Sequence, residues 1–324
     1  MNKSIRMTVL GVVLCGMFQA VVHAEESANP VRFSLGFVAH ATDNRDSAAV
    51  NEQDNVDLYL RPKLELIFES ERSLLSFYYV PAYRFRSEPG DNQDESSLQH
   101  DLKLEFARDI TERIRFRVYE QFRVQDDPQI EEGSTVTRGD QSYVRNVLEG
   151  GINFDILQYS NLDVLLRSVI KRYDDDAIAT TSDEDESTLR LEHRYQLTRT
   201  LRSLLSGSFS AYTYDSGAPV ERDFSVLALA LGVENSFTPN LLGGIRIGGQ
   251  ACEYSDSSLD GEVSPYARLS IEGLAGESIR LGTTLDHGVR DSDVYPFVSQ
   301  EYTQLRGFAH ARLGSRCALR GSAT

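Results

Sequence analysis

Between His100 and Val124 the chain reads HDLKLEFARDITERIRFRVYEQFRV, with apolar residues on every second position. Leu102, Leu104 and Phe106 alternate with Asp101, Lys103 and Glu105. After Arg108–Glu112 the alternation resumes in Ile114, Phe116, Val118, Phe122 and Val124, interleaved with Arg115, Arg117, Tyr119, Gln121 and Arg123. Side chains of a strand point to opposite faces with period two, so each segment is a ribbon with one apolar and one charged face. A helix needs apolar residues three and four apart, which Ile114, Phe116 and Val118 do not provide.

The same pattern recurs along the chain in segments of roughly ten residues, joined alternately by short and long polar connections. An all-β chain of this kind is expected to form a transmembrane antiparallel up-and-down β-barrel, apolar towards lipid and charged towards an enclosed aqueous interior. The spacing predicts about fourteen strands, with roughly twelve to sixteen compatible with the pattern.

The 324 residues suffice for one large barrel. Residues 1–24 read as a secretory signal: Lys3 and Arg6 before an apolar core from Val9 to Phe18, then Val22-His23-Ala24 ahead of Glu25. Residues 25–31 form a short periplasmic segment, 32–314 the barrel, and 315–324 a tail. That tail lacks the terminal aromatic residue usual in outer-membrane barrels, so it reads either as a truncated or frame-shifted end or as that of a chain assembled through an internal signal, the first being favoured. No other stretch approaches 18 apolar residues, which excludes a helical span. The net charge of −16 disfavours nucleic acid as a partner. Beyond the leader the cysteines are Cys252 and Cys317, expected near opposite barrel ends and therefore unpaired, and no metal motif is present.

In chain order, strands are expected around Phe33–Phe37, Val56–Phe68, Leu75–Phe85, the two described above, Val144–Phe154, Leu162–Ile170 and Leu189–Leu197. Further strands are expected at 203–214, 224–237, 241–254, 263–272, 279–289 and 302–313. Pro62 falls inside the second and predicts a bulge or a weak ladder. Glu120 falls among the apolar positions of the fifth, where a bulge would turn it inward. Short turns belong on the periplasmic side and long loops outside, which places the acidic loops near 46–54, 88–95, 126–132, 174–186 and 290–293 at the cell surface. With no Trp in the chain, interfacial anchoring rests on Tyr and Phe, for which Tyr79, Tyr83, Phe85, Phe122 and Phe154 are candidates.

The run Leu75-Ser-Phe-Tyr-Tyr-Val-Pro-Ala-Tyr-Arg-Phe85, a polar loop, and then His100-Asp-Leu-Lys-Leu-Glu-Phe106 with its partner strand resembles a family of β-barrel porins of Gram-negative bacteria. Members are often encoded beside exopolysaccharide biosynthesis genes. The resemblance implies an outer-membrane location and solute diffusion or polysaccharide secretion. It carries no catalytic residue.

If the apolar positions face lipid, Arg61, Lys63, Arg84, Arg86, Lys103, Arg115, Arg117 and Arg123 face the lumen together with Asp57, Glu65, Asp101 and Glu105. Two readings stand: an electrostatic track for anionic solutes or acidic sugars, and a charge-paired network that holds the wall. Tyr78 and Tyr119 are candidates for stacking on sugars, or for ordinary packing. Asp174–Asp176 and Asp183–Glu186 read as a solvated loop or as a divalent-cation site, without EF-hand spacing. His40, His100, His193, His287 and His310 are scattered and sit in no nucleophile motif.

The sequence thus points to a porin-like passive conduit for small solutes or exported polysaccharide, without catalysis or cofactor. A non-conducting barrel that docks an exopolysaccharide export system is the alternative, and a surface hydrolase the third reading. Expected partners are outer-membrane lipid, lipopolysaccharide, the barrel-assembly machinery and exopolysaccharide or its export proteins.

Overall fold

The computed structural model describes residues 30–42, 55–88, 94–125, 142–214, 221–276, 278–292, 297–312 and 318–323. These form one antiparallel sheet in which each strand pairs with its neighbour in sequence. The strands are β1 Val31–Thr42, β2 Asn55–Ser70, β3 Ser73–Arg86, β4 Ser96–Thr111 and β5 Ile114–Gln125. There follow β6 Tyr143–Leu157, β7 Ser160–Tyr173, β8 Glu184–Gln196, β9 Leu201–Tyr214 and β10 Phe224–Thr238. The last five are β11 Leu241–Tyr254, β12 Glu262–Ala275, β13 Ile279–Asp291, β14 Ser299–Arg312 and the short β15 Ala318–Ala323. The all-β up-and-down architecture expected from the alternation is the one observed, with fourteen long strands and β15 as a short fifteenth within the stretch read as a tail. Among the described residues β1 pairs with β2 alone and β15 with β14 alone, so no ladder joins the two edges.

One end of the sheet carries the tight turns. Ser70 Oγ accepts from the Ser73 amide at 3.1 Å, and Thr198 Oγ1 accepts from Leu201 N at 3.1 Å. Thr238 Oγ1 likewise accepts from Asn240 N at 3.2 Å, so hydroxyls close these short reversals locally. The β12–β13 turn uses Gly276 at φ 67°, a left-handed conformation that costs glycine little. The three register shifts, at Asp109/Thr111, Asp155/Leu157 and Ser236/Thr238, all fall at this end.

Two sequence expectations meet the ladder directly. Pairing between β2 and β3 stops at Leu60–Tyr83 and resumes at Leu64–Tyr79 in unchanged register, so Pro62 weakens the ladder without inserting a bulge. The same register sets Pro62 opposite Pro81, and neither proline has an amide proton to donate. Glu120 is a correction: it pairs with Leu104 and Leu148 in regular register, so no bulge turns it inward. It stays on the face of Val118 and Phe122, within hydrogen-bonding reach of Asn146.

The sheet curls. Tyr254 of β11 and Ser299 of β14 share a hydrogen bond at 2.7 Å, although strands three apart are separated by about 14 Å in a flat sheet. Only a concave inner face brings these side chains together. The convex face exposes Phe33, Phe37, Leu229, Leu231, Ile247 and Val263, the last at 81 %. The inner face carries the charged residues and, at the long-loop end, a cluster of Tyr214, Phe224, Val226, Cys252, Val289 and Val298.

The acidic stretch 174–186 is not one open loop. Asp176–Ser182 forms a single short helix, α1, and β8 begins at Glu184, five residues earlier than the alternation of leucines suggested. The other acidic loops lie wholly or partly outside the described residues, as do the leader and Cys317.

Candidate functional site

The inner face is the candidate site, because it gathers ionisable groups from every part of the sheet. Each group is there by parity: on β5, Arg115, Arg117, Tyr119, Gln121 and Arg123 alternate with residues of the convex face. Of the eight cations singled out in the sequence, five meet carboxylates. Arg84 Nη2 donates to Asp57 Oδ2 at 2.5 Å, with both side chains nearly buried. Arg117 Nη2 donates to both oxygens of Asp163, at 2.8 and 2.9 Å. Arg115 grips Asp109 through Nε at 2.5 Å and Nη2 at 3.0 Å. Arg123 lies 3.5 Å from Asp101, and Lys63 lies 3.5 Å from Glu65. Arg86, 1 % exposed, donates to the Asp94 carbonyl at 2.8 Å.

Arg61 and Lys103 differ. Among the described residues neither forms an ion pair, and each instead lies over an aromatic ring. Arg61 Cζ is 5.9 Å from the Tyr59 centroid, and Lys103 Nζ is 5.5 Å from that of Tyr78. Arg84 approaches the Tyr59 ring at 5.5 Å and Lys63 the Tyr78 ring at 4.8 Å. Each of these two tyrosines is therefore flanked by two cations. The second sugar-stacking candidate, Tyr119, donates its hydroxyl to Gln121 Oε1 at 3.1 Å.

The strip runs along the strands rather than across them. Arg84, Arg86 and Tyr59 stand towards the long-loop end, Lys63, Tyr78 and Lys103 at mid-height, and Arg115 and Arg117 beside the tight turns.

The alternation sets Glu192 and Arg194 on the charged parity of β8 but singles out no site among the charges of the second half. Glu192 accepts from Arg246 Nη1 at 2.6 Å and also pairs with Arg194, while Arg246 reaches Glu234 at 3.3 Å. Asp286 binds Arg306 at 2.7 Å and Arg268 at 3.4 Å. Arg246 and Arg268 face each other across the β11–β12 ladder, a like-charge pair made tolerable by these acids. A signal was available: each of these strands carries an arginine or an acid at an inward parity position. The glycine-rich surroundings masked it.

The long-loop end is bridged by Arg222. This side chain, 1 % exposed, donates to the Thr181 carbonyl at 2.5 Å and to the Ser292 carbonyl, and lies 4.2 Å from the Tyr214 ring centroid. Beside it the Tyr212 and Phe224 rings stack at 4.5 Å. Asp185 and Glu186 are taken up by arginines: Arg172 Nη2 donates to Asp185 at 2.7 Å and Arg167 Nη1 to Glu186 at 2.7 Å. Among the described residues no three His, Cys, Asp or Glu side chains are placed to hold a metal ion.

The histidines stay apart. His100 Nδ1 meets Tyr79 Oη at 2.9 Å and His287 Nδ1 meets Thr303 Oγ1 at 2.8 Å. His193 Nε2 lies 2.8 Å from Ser160 Oγ, but that serine is buried, and among the described residues no carboxylate orients the imidazole. A nucleophile–base pair needs an orienting third group and an approach for substrate.

No family model and no curated protein matches this sequence. Solved structures do match in fold. A bacterial polysaccharide outer membrane secretin aligns over 89 % of this chain and all of its own, at 10 % identity and TM-score 0.50. The outer membrane channel DcaP of Acinetobacter baumannii aligns over 93 % of this chain and all of its own, at 12 % identity and TM-score 0.40. An outer membrane channel from Pseudomonas putida F1 aligns over 81 % of this chain and 97 % of its own, at 11 % identity and TM-score 0.40. The likeness is one of architecture: this chain has the antiparallel up-and-down fold of outer-membrane β-barrels.

Proposed function

We propose that the protein resides in the outer membrane of a Gram-negative bacterium and acts as a passive, porin-like conduit for small solutes or exported polysaccharide. One observation carries this reading: the apolar residues face outward around the convex surface while the charged ones are paired inside. A water-soluble sheet protein hides its apolar face, and contiguous exposed apolar surface marks contact with membrane or protein. The likeness to a polysaccharide outer membrane secretin supports polysaccharide as one candidate cargo. Lipid, lipopolysaccharide and the barrel-assembly machinery are the partners such a protein requires, and exopolysaccharide or its export proteins are proposed with the second cargo.

Reconstitution in planar bilayers tests the proposal, with a steady single-channel current as the expected result. A protein that stays dissolved without detergent overturns the membrane placement. A membrane-inserted protein that passes no current favours a second reading, a barrel that anchors or docks an export system. The apolar cluster and the Arg222 bridge at the long-loop end support that alternative, because they occupy part of the mouth.

A further inference from the structure

The cations of the inner wall are held in two different ways, and the difference decides which can act on a mobile anion. Arg115 and Arg117 each donate two hydrogen bonds to a carboxylate, which cancels their charge locally. An aromatic ring attracts a cation through its quadrupole but carries no formal charge. Arg61 and Lys103, held over Tyr59 and Tyr78, therefore keep their full positive charge towards the interior. Lys63 adds to it, since its carboxylate partner Glu65 is 3.5 Å away and both remain partly exposed.

Tyr78 contributes more than a ring. It lies on the inner face between Lys63 and Lys103, and among the described residues its hydroxyl has no hydrogen-bond partner. A phenol beside two ammonium groups suits a ligand that carries a carboxylate next to hydroxyls: the ammoniums take the carboxylate and the phenol meets a hydroxyl. Tyr59 with Arg61 and Arg84 repeats the motif six residues along the β2–β3 ladder, about 20 Å away. Glu105, on the same face two residues beyond Lys103, bounds the tract on the tight-turn side. The other nearby acids, Asp57 and Asp101, are engaged by Arg84 and Arg123.

We propose that Arg61, Lys63 and Lys103, ranged about Tyr59 and Tyr78, form a binding subsite for hydroxylated carboxylates, that is, acidic sugars. The subsite deepens the conduit reading and rests on it for its role in transport. It runs along the wall of β2–β4 from Lys63, Tyr78 and Lys103 at mid-height to Tyr59 and Arg61 nearer the long loops, along the path of a solute. Because the attraction is electrostatic and partly exposed, binding weakens as ionic strength rises.

The test uses the full-length protein in detergent at low salt, with glucuronate, glucose and acetate as probes. Calorimetry is expected to give glucuronate the highest affinity and glucose none. Arg61→Gln together with Lys103→Gln should weaken glucuronate at least tenfold and halve the anion-over-cation permeability ratio in bilayers, while Arg115→Gln together with Asp109→Asn, which removes a neutral pair, leaves glucuronate affinity within twofold. Tyr78→Phe keeps the ring and removes the hydroxyl, so it should weaken glucuronate several-fold and leave acetate alone. Heat-modifiable gel mobility verifies that each variant is folded. Unchanged glucuronate binding in the double variant overturns the subsite, as does equal affinity for acetate and glucuronate in the wild-type protein. A wild-type protein that binds glucuronate but passes no current overturns the conduit and leaves the subsite standing, so the two failures are told apart.

Discussion

Arg246 of β11 donates to Glu192 of β8 at 2.6 Å, reaching across the two intervening strands. The contact exists because the sheet is curled, and it helps to keep it curled. Glu192 is nearly buried at 5 % and also pairs with Arg194, so it anchors two guanidinium groups at once. Removal of Glu192 leaves Arg194 without its acid and Arg246 with Glu234 alone, at 3.3 Å. Glu192→Ala is therefore expected to destabilise the folded sheet by about 3 kcal/mol. Arg246→Ala should cost less than half as much, because Arg194 still neutralises the acid. Denaturant unfolding from liposomes, read by circular dichroism, measures both.

Two glycines give a matched pair. A Cβ on Gly248 would lie 1.9 Å from the Leu229 carbonyl oxygen and 2.7 Å from the Ala230 Cα, so β10 and β11 would have to move apart. Gly248→Ala is expected to cost roughly 2 kcal/mol, as overpacking against rigid neighbours does. A Cβ on Gly150 meets nothing within 4 Å. Gly150→Ala should be neutral or gain about 0.5 kcal/mol from the lower entropy of the unfolded chain. Unfolding midpoints of the two variants in the same detergent provide the comparison.

Glu120 stands on the convex face beside Val118 and Phe122, with Asn146 in reach. An acid among membrane-facing positions is unfavourable there, by less than the ~2–4 kcal/mol measured for Arg or Lys at the bilayer midplane. Glu120→Leu is expected to raise stability by about 1 kcal/mol in a bilayer and by less in a loose detergent micelle. A fall in stability in liposomes would show that the carboxylate is satisfied by more than Asn146.

The loop after β11 is expected to respond to acid. The Ser258 hydroxyl and amide hydrogen-bond to Asp256, the amide at 2.8 Å, and hold its carboxyl below the ordinary carboxylate range. A depressed folded value means that the turn's contribution is present above the unfolded value and is lost as pH falls through the folded one. The Ser258 amide resonance should therefore shift with a midpoint below 3.8, the ordinary value for the group, and Asp256→Ala should abolish the titration. A midpoint at or above that value would contradict the geometry.

Much of the fold was legible because parity is a local property. Strands β2–β5 could be bounded to within a few residues, since Leu, Phe and Val on one parity and Arg, Lys and Glu on the other leave one arrangement for a ribbon. The start of β8 was misplaced because Glu184, Asp185 and Glu186 look like loop residues. They pair in a ladder only because Arg167 and Arg172 of β7 stand next to them. The second-half charges were overlooked for a related reason: Arg246, Arg268 and Asp286 are isolated in sequence and become a cluster only across strands.

Alternation by itself determined the strands, their order and which side of the sheet each residue occupies, because the two faces of a strand follow from backbone geometry alone. It also placed the eight cations singled out on β2–β5 on one face. What those cations do was decided by the tertiary structure. Register and curvature bring Asp163 to Arg117, Asp109 to Arg115 and Asp57 to Arg84, and set Tyr78 between Lys63 and Lys103. A charge's effect depends on distance to its neighbours in space, and those distances are set by register and curl, which the alternation pattern does not encode.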